Sequence, residues 1–174
     1  SDKEPDWLEG LSKPGEMKAA ILEHHFAEQN PTPMQVEAAY QSFISARQIN
    51  DAIGRLSDSG WTARYYGVDV RDRQQTAQVF DLIRKELGDI KGIIHGAGVL
   101  ADRLIAEKQP EQFQQVFETK VDGLHALLDA AENDTLRYLV LFSSVTARLG
   151  NRGQSDYAMA NEALNKIARQ QARR

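Results

Sequence analysis

Cysteine is absent from this 174-residue sequence. The absence excludes a disulfide framework, a thiolate metal site and a cysteine nucleophile, and it suits a reducing compartment. Long apolar runs are absent too: none approaches the roughly 20 residues that span a bilayer. The chain begins with SDKEPDW rather than with a basic stretch followed by an apolar one. We therefore expect a cytoplasmic protein with no membrane partner.

An excess of basic residues is also lacking. The formal net charge is −4 and the pI is near 5.6, whereas a broad nucleic-acid surface needs a strongly basic face. Two adjacent histidines, His24 and His25, have no third ligand at metal spacing, so we expect no metal site. The remaining composition, with 41% hydrophobic and 26% charged residues, is typical of a globular domain.

The first sixty residues carry no strand pattern. The stretch EMKAAILEHHFAEQ predicts a short amphipathic helix that ends before a turn at residues 30–33. A second helix is predicted over residues 34–60, where apolar residues recur at helical spacing and Gly60 is placed to end the helix. We therefore interpret residues 1–60 as a helical leader or insertion.

From Trp61 the pattern changes to alternating strands and helices. Helices are predicted at about residues 73–87, 110–131 and 154–169, and strands in WTARYYGVDV, IKGIIHGAG and LRYLVLFSSV. This alternation is typical of an α/β fold with a Rossmann-like, doubly wound parallel sheet, in which ligands bind at the carboxyl ends of the strands. Residues 61–174 are thus the predicted catalytic part.

Two hydroxyl-bearing residues stand thirteen positions apart, Ser144 at a predicted strand end and Tyr157 near the start of the next helix. A ketone that accepts hydride develops negative charge on oxygen and needs a hydrogen-bond donor and a proton source. A free phenol has a pKa near ~10, so it is an effective acid at neutral pH only beside a cation that stabilises the phenolate. Lys120 is the candidate cation. Asn161, one helical turn after Tyr157, could hold a water in a proton relay.

Taken singly, each of these residues has an ordinary interpretation. Ser144 could cap a backbone group, Tyr157 could be a half-buried helix residue, and Lys120 and Asn161 could be surface polar residues. His95, at a predicted strand end, is interpreted as satisfying backbone groups rather than as a proton carrier. Catalysis is favoured only by the joint spacing of Ser144, Tyr157, Lys120 and Asn161.

The same residues resemble a known family. A Tyr followed four residues later by Lys is the usual short-chain dehydrogenase pattern, but here Asn161 replaces that Lys, and Lys120 stands where that family commonly has Asn. This exchange resembles the ketoreductase domains of modular polyketide synthases and of bacterial polyunsaturated fatty acid synthases. Further agreement lies in VDVRD, IIHGAGVLADRL, TKVDGLHAL, LFSS and GQSDYAMANEAL. The helical leader also resembles an insertion of the polyunsaturated fatty acid synthase group.

The resemblance implies a reaction, the NADPH-dependent reduction of a 3-oxoacyl thioester on an acyl carrier protein to the 3-hydroxyacyl thioester, beside other synthase domains. It implies that Ser144 and Tyr157 contact the substrate carbonyl, and that Lys120 meets the nicotinamide ribose and the Tyr. Asn161 would support proton supply. The residues that it assigns to cofactor binding are Asp69, Val70, His95, Gly96, Ala97, Gly98, Lys120 and Tyr157. Asp69 alone could also be a simple turn residue.

The resemblance also predicts a stereochemical outcome. In modular synthases, an Asp in the Leu-Asp-Asp motif, without a Trp eight residues before the Tyr, accompanies the D alcohol. This chain has Leu100, Ala101 and Asp102 at the motif and Leu149 at the Trp position. We therefore predict the D-hydroxy product.

The glycine-rich phosphate-binding turn of the family, GxGxxG, is missing, as are strands after the tyrosine helix. In the family strand order 3-2-1-4-5-6 the Trp61 strand is third, so two absent strands separate it from the Ile93 strand by roughly 14 Å at ~4.8 Å per strand. We therefore predict an incomplete sheet. Its missing strands would come from another polypeptide, from a further part of the parent protein, or from exchange between copies.

Two functions from different classes remain open. The first is a ketoreductase acting in the parent protein; the second is a noncatalytic structural or interaction segment of the synthase that cannot bind cofactor by itself. The Ser, Tyr, Lys and Asn set favours the enzyme, and the missing phosphate turn favours inactivity of the isolated chain. A sugar epimerase or dehydratase would normally keep Lys four residues after the Tyr, and Asn161 counts against it.

Overall fold

The chain folds into two compact units that divide between Tyr66 and Gly67. The computed structural model describes residues 4–173. Residues 1–3 and 174, at the ends of the predicted leader and of the predicted catalytic part, lie outside the described residues. Within the described residues, no helix is both long and apolar enough to cross a membrane.

The first unit is built of helices. A 3₁₀ turn at Asp6–Leu8 precedes helix α1, Pro14–Ala20, which continues into a π-helical turn at Ile21–His25. Helix α2 spans Pro33–Asp58. It begins at a capping box, in which Gln35 N donates to Thr32 Oγ1 (3.3 Å) and Thr32 N donates to Gln35 Oε1 (2.7 Å). Gly60 follows the helix with φ +82°, a conformation that favours glycine.

The core of the first unit is formed by its own helices. Leu8, Met17 and Ile21 are fully buried. Arg47 of α2 donates to the carbonyls of Leu11 (2.8 Å) and Leu8 (3.3 Å), and its guanidinium pairs with the Glu4 carboxylate. These bonds satisfy backbone carbonyls beside the apolar cluster, so the turn at Asp6–Leu8 is fixed against α2.

The second unit alternates helices and strands. Its elements are α3 (Arg73–Leu87), β1 (Gly92–His95), α4 (Pro110–Phe117), a π-helical turn (Glu118–Asp122), α5 (Gly123–Ala130), β2 (Tyr138–Leu141), α6 (Thr146–Leu149) and α7 (Ser155–Gln171). Strands β1 and β2 pair in parallel, with Gly92 opposite Tyr138 and His95 opposite Leu141. The mixed α/β class and the parallel sheet confirm the predicted fold, and the crossover between the strands is helical.

The two faces of this sheet differ. One face carries Ile93, which packs with Phe80 of α3 and with Ala131 directly after α5. The other face carries Ile94, Tyr138 and Val140, all of which are exposed. The sheet is therefore covered by α3 and α5 on one side and bare on the other within the part of the chain that the structure describes.

The strand predicted in WTARYYGVDV is wrong. Residues 61–69 form no strand in the described chain, and the sheet contains β1 and β2. A strand exists only when its N–H and C=O groups pair with a neighbour, and in the family order the neighbour of this segment is a strand that the sequence lacks. The strand pattern is present in the side chains, but the backbone partner is not.

Candidate functional site

The carboxyl end of β1 leads into Gly96, Ala97 and Gly98, as the sequence predicted for a strand end. His95, the last strand residue, is buried and donates its Nε2–H to the Lys120 carbonyl at 2.9 Å. Burial lowers the pKa of His95, because the charged imidazolium is poorly solvated there. The ring is therefore neutral at neutral pH and engaged with backbone.

Lys120 lies in the π-helical turn between α4 and α5, where the Gly123 amide bonds to the Glu118 carbonyl five residues earlier. Its side chain is buried, and Nζ donates to the Phe142 carbonyl just after β2, at 3.1 Å. Burial lowers the pKa of Lys120. The ammonium lies 5.4 Å from the centroid of the Tyr157 ring, within range of a cation–π interaction.

Gly98 lies directly against this lysine. A Cβ at Gly98 would stand 3.0 Å from Lys120 Cε and 3.3 Å from Nζ, closer than side-chain carbons ordinarily approach. A larger residue would thus displace the ammonium. The glycine lets the backbone after β1 pass beside the Lys120 side chain.

Helix α7 positions Tyr157 and Asn161 on one face, one turn apart. Asn161 is fully buried. Its side-chain Nδ2 donates to the backbone carbonyl of Tyr157 at 2.7 Å, and its backbone carbonyl accepts from Ser143 Oγ at 3.2 Å. Within residues 4–173, Asn161 Oδ1 has no hydrogen-bond partner. A buried acceptor without a partner costs about 1–3 kcal/mol, so this position suits a bound polar group or a water.

Ser144 is half-buried in the turn between β2 and α6. Its Oγ–H donates to Thr146 Oγ1 at 3.0 Å, and its Oγ accepts from the Thr146 amide at 3.2 Å. The structure thus brings Lys120, Tyr157 and Asn161 together, while the Ser144 hydroxyl bonds within its own turn.

Asp69 and Val70, predicted near the adenine, follow the segment that forms no strand. Asp69 is exposed, and hydrogen bonds from the Arg71 guanidinium and amide lower its pKa to about 2. Val70 lies against Gly123, where an added Cβ would stand 2.8 Å from Val70 Cγ2. Val70 is therefore near the turn that carries Lys120, and the Asp69 carboxylate is hydrogen-bonded to Arg71.

Sequence reasoning missed one pair of charged residues. Lys108, before α4, and Asp156, directly before Tyr157, form an ion pair of 2.7 Å that is almost fully buried. The two residues are separated by 48 positions in the chain and have common residue types, so no local pattern joins them. Only the Asp-Tyr adjacency in the sequence could have drawn attention to Asp156.

Comparisons with known proteins indicate the family. A family model described as the KR domain matches residues 38–174. One of the polyunsaturated fatty acid synthase subunits of Thraustochytrium sp. is 39% identical, in a match that covers 96% of this chain and 6% of that protein. Polyketide synthase PksN of Bacillus subtilis is 34% identical, in a match that covers 85% of this chain and 3% of that protein. The chain thus spans a small fraction of the length of these relatives.

A solved ketoreductase structure is also similar to this chain. An N-terminal ketoreductase from the macrolactin assembly line superposes with a TM-score of 0.69 and 33% sequence identity. The match covers 72% of this chain and 26% of that one.

Proposed function

Because the chain belongs to the ketoreductase (KR) domain family, we propose that it carries out NADPH-dependent reduction of a 3-oxoacyl thioester on an acyl carrier protein. The product is the 3-hydroxyacyl thioester, made beside the other domains of a cytoplasmic polyketide or polyunsaturated fatty acid synthase. The observation that carries the proposal is the buried Lys120 ammonium, 5.4 Å from the centre of the Tyr157 ring. This pairing of a phenol with a cation is what an acid for a developing alkoxide needs.

In the proposed mechanism, the Tyr157 hydroxyl transfers its proton to the substrate carbonyl oxygen as negative charge develops there. Lys120 stabilises the phenolate that remains, since an ammonium in a poorly solvated site interacts more strongly with an anion than it would in water. Asn161 Oδ1, buried without a partner within the described residues, accepts from a water that returns a proton to Tyr157. Ser144 donates to the same carbonyl oxygen after its Oγ–H turns away from Thr146.

The residues present fit the nicotinamide half of a dinucleotide. Gly96 and Gly98 are exposed and would leave room for a ribose, and the Lys120 ammonium, which has three N–H donors and gives one to the Phe142 carbonyl, would hold that ribose. When bound, NADPH supplies the hydride. The sequence has no GxGxxG turn. We therefore propose that the groups that bind the NADPH phosphates, like the missing strands, come from residues outside this sequence or from a second copy of it.

That missing turn favours a second candidate function, a noncatalytic structural segment of a synthase. Such a segment would keep the fold, but neither Tyr157 nor Lys120 would affect a reaction. The two candidates therefore differ in what a change at Tyr157 does.

The test is Tyr157→Phe in the natural full-length polypeptide. We expect the turnover number for ketone reduction to fall about 10²–10⁴-fold, because proton transfer is lost, while the Kd for NADPH stays within about twofold. Reduction can be followed by NADPH absorbance and binding by NADPH fluorescence. The matched control is Tyr40→Phe in helix α2, a half-buried tyrosine of the leader, which should leave both unchanged. Undiminished reduction by Tyr157→Phe would reject the assignment of the proton donor.

The stereochemical proposal is the D alcohol. Asp102, the residue that supports it, accepts a hydrogen bond from Gln154 Nε2 at 2.8 Å, three residues before Tyr157. Chiral chromatography of the product from the natural polypeptide should show mainly the D isomer; mainly the L isomer would contradict the proposal.

A further inference from the structure

The loop between β1 and α4 is fastened to the start of α7. Lys108 Nζ donates to Asp156 Oδ2 at 2.7 Å and also to the Ala101 carbonyl at 2.8 Å. The Arg103 amide donates to the Gly153 carbonyl at 3.0 Å, two residues before α7 begins. These contacts join a loop to the first turn of the helix that carries Tyr157.

The ion pair at the centre of this junction is nearly inaccessible to water. The Lys108 side chain is 5% exposed and the Asp156 side chain 1%. Taking two charges out of water costs several kcal/mol each, and apolar replacements of a buried pair are often neutral or stabilising. Stability of the fold is therefore a weak explanation for this pair.

The Asp156 carboxylate is bonded at both oxygens, and each bond leads to a different element. Oδ2 accepts from Lys108, while Oδ1 accepts from the Tyr157 amide at 2.9 Å. Asp156 lies in the first turn of α7, where the helix dipole favours a negative charge. The carboxylate thus links the loop cation to the backbone of the tyrosine.

We propose that Lys108 and Asp156 are positioning residues that fix the Tyr157 backbone, and through it the direction of the phenol relative to Lys120. This inference rests on the proposed reduction, in which Tyr157 is the proton donor. Geometry at a reacting group matters because a misplacement of about 1 Å can cost about 10²-fold in rate. The pair acts through Tyr157 and does not itself touch the substrate.

The variants are made in the natural full-length polypeptide. Asp156→Asn keeps an oxygen acceptor for the Tyr157 amide but loses the charge; Asp156→Ala loses both. The double variant Lys108→Met with Asp156→Leu leaves no unpaired buried charge. It is therefore the variant to measure if a single substitution prevents folding. The control is Lys166→Met, which removes an exposed ion pair with Glu162 on the same helix.

The measurement is turnover number per NADPH-binding site, with sites counted by fluorescence titration and folding followed by thermal denaturation. We expect about a 10–100-fold loss for Asp156→Ala and for the double variant, and a smaller loss for Asp156→Asn. The KM and the Kd for NADPH should stay within about twofold, as expected for a change confined to proton transfer. Lys166→Met should match the wild type.

A merely structural role would give a different result. The melting temperature and the number of sites would change, but turnover per remaining site would equal that of the wild type, and this outcome would overturn the inference. Different results would reject the proposed function. They are a wild type that does not reduce ketones, or a Tyr157→Phe variant that reduces them as well as the wild type does.

Discussion

The leader and the sheet bury their apolar residues in different ways. In the first unit Leu8, Met17 and Ile21 have no exposed surface, and partly buried apolar residues of the same unit pack against them. In the second unit Ile94 is 72% exposed and Tyr138 69%, although both lie in strands. A helical pair can close a core with neighbours in sequence, whereas a parallel sheet needs layers on both faces.

The largest effect is expected at the bare face of the sheet. If further helices and strands cover it in the natural full-length polypeptide, as the doubly wound fold requires, Ile94→Lys would bury a charge without a partner. We expect loss of folded protein, seen as a fall in soluble yield and in the cooperative thermal transition. A matched change in the leader, at exposed Met34, should alter stability by about 0.5 kcal/mol or less. Equal tolerance of Ile94→Lys and Met34→Lys would mean that the face is solvated in the natural protein.

A smaller effect is expected in the closed core of the leader. Leu8→Ala should destabilise the first unit by about 2–5 kcal/mol, because the side chain is fully buried and its removal leaves a cavity. Hydrogen exchange of the α1 and α2 amides would report the change locally. Leu22→Ala, at a half-exposed leucine of the adjoining π-helical turn, is the matched control. Similar protection in the two variants would contradict a closed core around Leu8.

The smallest effect concerns the covered face, where Arg84 of α3 pairs with buried Asp134 at 2.7 Å. The Arg84 guanidinium, helped by the Ile90 amide, holds the pKa of Asp134 below its ordinary value. The stabilisation is therefore present above the ordinary carboxyl pKa, about 4, and is lost as the pH falls through the lower folded value.

Asp134→Asn should remove this dependence, so the wild type should lose a few degrees more in melting temperature than the variant between neutral pH and acid below about pH 4. Asp81→Asn provides the control, since Asp81 pairs with the same guanidinium but is mostly exposed. An identical acid response in the wild type and in Asp134→Asn would show that the pair does not link protonation to folding.

The helices could be predicted because their signals are local. The prediction of residues 73–87 coincides with α3, which begins where Asp72 accepts from the Gln75 amide at 2.9 Å and ends before Gly88 at φ +88°. The strand expected from Trp61 has the same quality of pattern, yet it does not form. Its existence depends on a partner strand, and no local signal reports that partner.

The candidate site divides along the same line. Tyr157 and Asn161 share a helix turn, so their proximity follows from spacing. Ser144 and Lys120 were proposed from the chemistry that a ketone reduction needs, and the resemblance to a family implied the same residues. Their roles stay predictions. The contact of Lys108 with Asp156 joins a loop to a helix 48 residues later, and only the folded chain brings them together.

The π-helical turn at Glu118–Asp122 amounts to one extra residue in an otherwise regular helix. One residue corresponds to about 100° of rotation, so a regular α-helix with the same number of residues would turn everything after this point by about that angle. Val116 before the turn and Leu124 after it are both fully buried, and Lys120 lies between them. No regular helix of the same sequence length keeps all three in their present directions. The π-helical geometry of this segment is therefore as much a part of the site as the identity of its lysine.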